Sequence, residues 1–99
     1  MGYKEFETED RRLAELRFLA ECDDYSLNAG VMQTALSEVG HNVSRDVVLA
    51  DFSFLADLGL IHHKKTLDGK VSVATLTGRG EDVAKGRATV PGVKKPRPE

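Results

Sequence analysis

The sequence predicts a mainly α domain that carries one small β-hairpin. Three observations lead there. Apolar residues recur at helical spacing in three segments. The stretch from Leu60 to Leu76 reads as two strands around Asp68-Gly69. Glycines and N-capping residues stand where these elements should begin and end.

The central helix is set by Val48, Phe52 and Leu55, with Val47, Asp51, Phe54 and Leu58 as a neighbouring row. Ser44 is its N-cap, because a hydroxyl can accept an orphan N–H of the first turn. Val43 and Val48 sit at hydrophobic-staple positions, and Asp46 complements the positive end of the helix dipole. Gly59 after Leu58 supplies the left-handed residue that ends a helix. The hairpin follows, with strands over Leu60–Thr66 and Lys70–Leu76. Asp68-Gly69 suits the two central, positive-φ positions of a type I′ turn. This register sets Ile61 opposite Leu76, His63 opposite Ala74 and Lys65 opposite Ser72, so the ribbon is apolar at its root and polar at its tip.

A first helix is expected from Thr8 or Glu9 to about Asp23, with Leu13, Leu16, Leu19 and Ala20 inward. Arg11, Arg12 and Arg17 alternate with Glu9, Asp10, Glu15 and Glu21, which reads as a solvated face with weak intrahelical pairs. After a turn at Asp23-Asp24-Tyr25-Ser26, Ser26 or Asn28 caps a second helix to about Val39, and Gly40 ends it. Thr77 is the candidate N-cap of a short last helix to about Gly86. Helix, glycine-containing turn, helix and hairpin in this order make a winged helix-turn-helix. The expected organisation is an arm over residues 1–8, a domain over 9–87, and a basic tail over 88–99. Pro91, Pro96 and Pro98 keep that tail extended and partly mobile.

Ninety-nine residues allow one core. No apolar run approaches the ~20 residues that cross a bilayer, so no membrane partner is expected. Met1 to Asp10 is acidic and lacks a signal-peptide h-region. The single Cys22 excludes an internal disulfide and suits a reducing, cytoplasmic setting. Net charge is −2, but residues 1–58 carry −7 and residues 59–99 carry +5. The basic half is a candidate surface for phosphates or an acidic partner.

The chemistry inventory argues against an enzyme. Neither HExxH nor GxSxG is present, and His41, His62 and His63 with one cysteine do not make a zinc site. His62 and His63 alternate across a strand and cannot share an ion. Asp23-Asp24 has no further ligand at usable spacing, so no metal is expected. Gly78 and Gly80 match neither phosphate-loop fingerprint, so no cofactor is expected.

The run Val48…Phe52…Leu55-Ala-Asp-Leu58-Gly59-Leu60-Ile61 resembles the helix end and glycine turn of bacterial winged-helix regulators of the ArsR and MarR kinds. Leu76-Thr77-Gly78-Arg79-Gly80 resembles their wing-to-helix junction. The longer pattern from Leu76 through Asp82-Val83-Ala84 and Gly86-Arg87 to Val90-Pro91-Gly92-Val93-Lys94-Lys95-Pro96 is similar to a family of small winged-helix proteins of Mu-like phages and prophages. The resemblance implies a phage-encoded cytoplasmic protein, labelled a regulator by fold analogy, and brings no catalytic residues.

Two functions follow as expectations. One is binding of double-stranded DNA, with Ser44 and Arg45 in the major groove and Lys64, Lys65, Lys70 and Arg79 on phosphates. A homodimer through the stripe of Leu13, Leu16 and Ala20 would present about four to six such phosphate contacts. The alternative is an interaction or assembly module for a phage or host protein. It is suggested by Asp46, Asp51 and Asp57 on a helix where a base reader would offer amides or guanidinium groups.

Overall fold

The structure, a computed structural model, describes residues 2–97. Four helices and a three-stranded antiparallel sheet follow in the order α1 (Tyr3–Glu21), β1 (Ser26–Asn28), α2 (Ala29–Glu38), α3 (Arg45–Asp57), β2 (Ile61–Thr66), β3 (Val71–Leu76) and α4 (Gly78–Ala84). The class is therefore mixed α/β, with more sheet than a lone hairpin supplies.

The middle of the chain folds as its local signals dictate. Asn28 caps α2 by accepting from the Val31 N–H at 2.8 Å. Ser44 caps α3 by accepting from the Val47 N–H at 3.3 Å. Thr77 caps α4 by accepting from the Gly80 N–H at 3.0 Å, and its hydroxyl also donates to the Gly59 carbonyl. Gly59 adopts φ +77°, as the end of α3 requires.

The ribbon has the expected register, with Ile61 opposite Leu76, His63 opposite Ala74 and Lys65 opposite Ser72. Asp68 and Gly69 both have positive φ, and the Lys70 N–H donates to the Leu67 carbonyl at 3.1 Å. Leu67 is left-handed as well, at φ 51°, so the paired ladder closes at Thr66 and Val71 rather than running to Lys70.

One core unites the elements. Leu16 and Leu19 of α1, Met32 and Leu36 of α2, Val48, Phe52 and Leu55 of α3, and Leu60 are all fully buried. Removing such apolar area from water is the main stabilising term for a domain of this size. Gly80 meets this core closely: a Cβ there would collide with the Leu60 carbonyl and the Leu76 side chain. Its role is backbone packing at the ribbon–α4 junction.

Four sequence expectations are corrected. The residues read as an N-terminal arm are helical from Tyr3 onward, and Met1 lies outside the described residues. Ser26 and Leu27, read as the end of a turn and the start of the second helix, form strand β1 with Asn28 on the open edge of β3, with Ser26 opposite Thr75, while Asn28 keeps its expected place as the cap of α2. Leu13 and Leu16, offered as a dimer stripe, are core residues and cannot form a subunit contact.

The fourth correction concerns the tail, which packs as a strap across α1. Val90 and Val93 are buried, the Lys94 N–H donates to the Glu9 carbonyl at 3.1 Å, and Lys94 Nζ donates to Asp10 at 3.2 Å. Pro98, counted with the tail, lies outside the described residues.

Candidate nucleic-acid interface

The cations expected to meet DNA are placed by α3 and the ribbon. β2 starts beside the C-terminal end of α3, where the Leu60 N–H donates to the Leu55 carbonyl at 3.0 Å. Further along, the His63 ring packs edge-on against Phe52, with centroids 5.6 Å apart. The ribbon thus runs back along α3 towards its N-terminal end. Lys65 continues on the His63 face, while Lys64 points to the other face of the sheet. Lys70 lies in the turn, and all three lysines are exposed.

Arg45, in the first turn of α3, is also exposed, but it is held in place. Its Nε donates to Gln33 Oε1 at 3.0 Å, and Gln33 Nε2 donates in turn to the Val43 carbonyl at 3.1 Å. Gln33, which the sequence reading did not single out, therefore aims Arg45 across the turn between α2 and α3. The Ser44 hydroxyl is engaged by the helix cap. Arg79 is not brought to this end. It lies at the C-terminal end of α3, where its Nε donates to the Leu58 carbonyl at 3.2 Å.

The three aspartates of α3 divide into two groups. Asp46 and Asp57 are exposed and share the outer ridge with Ala50 and Ser53. Asp51 lies roughly 120–140° round the helix from them at about 100° per residue, and it is buried against α1. There Arg11 clamps it with two hydrogen bonds, Nε to Oδ2 at 2.6 Å and Nη2 to Oδ1 at 3.0 Å, and Arg12 adds a third at 3.2 Å. These bonds outweigh burial and hold the Asp51 carboxyl below the ordinary carboxylate range.

Glu15, fully buried beside the same group, behaves in the opposite way. Burial first, and the Asp51 carboxylate second, push its pKa up to about 10, so it is neutral at pH 7. Arg12 also lies 3.8 Å from the Phe54 ring centroid and donates to the Gly92 carbonyl at 3.1 Å. Arg11, Arg12 and Glu15 were read as part of a solvated face. They instead join α1, α3 and the strap. The sequence signal for Asp51 was its place in the apolar row with Val47, Phe54 and Leu58.

Little else at this end suggests chemistry. His63 has a lowered pKa, mainly from burial and then from Lys65. Cys22 has its thiol pushed up by burial and by the nearby acids Asp24, Glu21 and Asp23. Among the described residues, no group of three His, Cys, Asp or Glu could hold a metal ion, and no helix is long and apolar enough to cross a membrane.

No protein-family model matches the chain. Comparison with curated proteins gives a relative with 50% identity over 91 residues, covering 92% of each chain: the uncharacterized protein gp26 of Escherichia phage Mu. The chain belongs to the family of phage Mu gp26. A second relative, an uncharacterized protein of Haemophilus influenzae, is 38% identical over 79 residues, covering 80% of this chain and 76% of its own. The family agrees with the Mu-like phage resemblance, and neither relative's name carries an activity.

Proposed function

We propose that this protein is a winged helix-turn-helix module that binds double-stranded DNA, with the ribbon and the N-terminal end of α3 against the duplex. The element order, with α2, a tight turn and α3 followed by an antiparallel ribbon, supports the architecture. The observation that carries the function is the return of the ribbon along α3, fixed by Phe52 against His63. It directs Lys64, Lys65 and Lys70 towards the end of the molecule that holds Arg45. The burial of Asp51 supports the same reading, because it takes one carboxylate off the surface a phosphate would approach.

Phosphate contacts give affinity, and one guanidinium with no exposed amide on the α3 ridge gives little base discrimination. The protein is thus a binder rather than a catalyst, with weak sequence preference per protomer. Regulation of phage transcription would need a homodimer to read two half-sites. Its contact is to be sought at exposed Tyr3 and Phe6, since Leu13 and Leu16 are buried.

The test is fluorescence anisotropy with a labelled duplex of about two helical turns. Three lysines on phosphates predict a log–log slope of affinity against salt of roughly −3. No binding at tens of micromolar protein in about 50 mM salt would refute the reading.

A protein-interaction module on the same scaffold is the second reading. It is favoured by the exposed α3 ridge of Asp46, Ala50, Ser53 and Asp57, which suits a protein contact better than phosphates. Affinity purification from phage-infected cells tests it. A partner protein lost on Asp57→Lys supports it, and recovery of DNA alone contradicts it.

A further inference from the structure

A second cationic surface lies on the far side of α1. Arg11 and Glu15 of that helix face Asp51 of α3, and at about 100° per residue Arg17 points roughly 120–160° away from them. Two open hollows meet at Arg17 and share Pro96 and Arg97. The larger, about 640 Å³, lies between α1 and α4 over Ala20 and Ala84. The smaller, about 240 Å³, continues along the strap past Lys95. Together they form a trough with a floor of small apolar groups and a cationic rim. Arg17, Lys95 and Arg97 are exposed, and among the described residues none of them makes an ion pair.

We infer that this trough docks an acidic peptide segment of another protein. Carboxylates of such a segment fit over Arg17, Lys95 and Arg97, while its aliphatic side chains cover Ala20, Ala84 and Pro96. The lining disfavours nucleic acid. It offers no aromatic ring on which a base could stack, whereas its small apolar floor suits aliphatic side chains. It also disfavours a second copy in a two-fold contact, because such a contact brings the cationic rim of one copy against the same rim of the other. The trough faces away from α3, so an occupant leaves the ribbon end open. The chain then has two independent faces, as an adaptor requires.

The experiment uses the full chain and a fluorescein-labelled peptide of about a dozen Glu, Asp, Leu and Ala residues. Its counterpart replaces each acid by the matching amide. Anisotropy at low salt is followed by amide chemical-shift mapping on ¹⁵N-labelled protein. The acidic peptide should bind at least about tenfold tighter than the amide peptide, consistent with a few charge-assisted contacts. Shifts should concentrate at Arg17, Ala20, Ala84, Lys95 and Arg97. The double variant Arg17→Glu, Arg97→Glu should abolish that preference while its thermal melt stays within a few degrees of the parent.

Equal binding of the two peptides overturns the inference, as do shifts confined to the ribbon lysines. Loss of self-association in the double variant, seen by sedimentation, would make the occupant a second copy. Loss of duplex binding in that variant would make it nucleic acid. The inference does not rest on the DNA reading: a chain that binds no duplex but prefers the acidic peptide at Arg17 refutes only the latter reading of the ribbon end.

Discussion

The α1–α3 junction and the ribbon tip are built from the same kinds of residue and use them in opposite ways. At the junction Arg11, Asp51 and Glu15 are buried and Arg12 is half-buried; the two guanidinium groups pair with Asp51, and burial favours the neutral form of Glu15. At the tip Lys64, Lys65 and Lys70 stand in solvent and, among the described residues, pair with nothing. Buried charges are costly to strand, so the first group holds the fold. Exposed, unpaired charges add little stability and remain free for a ligand. A count of acidic and basic residues cannot separate the two groups, although the function depends on which is which.

The comparison breaks most easily at Asp51. Asp51→Ala strands Arg11 in the core and should cost about 3–5 kcal/mol, read from urea unfolding. A loss no larger than that of a surface substitution would mean the junction is not an anchor. Gly92→Ala comes next. Gly92 sits at φ +90°, and a Cβ there would collide with the Phe54 ring on which Arg12 is stacked. The substitution should cost about 1–3 kcal/mol and loosen the strap, seen as faster amide exchange at Val93 and Lys94.

Glu15 sharpens the contrast through pH. Between its ordinary value of 4.5 and about 10, the folded chain keeps a proton that the unfolded chain has released. Stability therefore falls as pH rises through that window, by up to about 1.4 kcal/mol per pH unit. Asp51 acts with the opposite sign, contributing stability above about pH 3.8 that is lost in acid. Glu15→Gln mimics the neutral acid. In urea melts it should be more stable than the parent at about pH 8, with the gap closing towards about pH 4. The smallest effect belongs to the tip: Lys64→Ala should change stability by less than about 0.5 kcal/mol.

The elements the sequence announced are those with local causes. Ser44, Gly59 and Asp68-Gly69 define α3 and the ribbon within a few residues of themselves, and register followed from the turn. β1 was hidden because three residues show no alternation, and its partner β3 lies far along the chain. The strap was read as a free tail because its prolines exclude helix, which says nothing about whether Val90 and Val93 are buried. The lysines of the ribbon were legible as exposed because they lie beyond the apolar root, towards the polar tip. The role of Asp51 was half legible: its spacing placed it inward, while its charge argued for solvent. The Arg11 clamp that resolves this lies forty residues away in sequence. Arg79 shows the remaining limit, since its position at the far end of α3 depends on tertiary placement alone.

The most direct test reverses the ribbon charges together and reads folding and duplex binding on the same sample. Lys64→Glu, Lys65→Glu, Lys70→Glu should melt with the parent and retain the buried junction, yet lose duplex affinity by at least about a hundredfold at about 50 mM salt. Duplex affinity unchanged in a folded triple variant would contradict the assignment of these lysines to DNA.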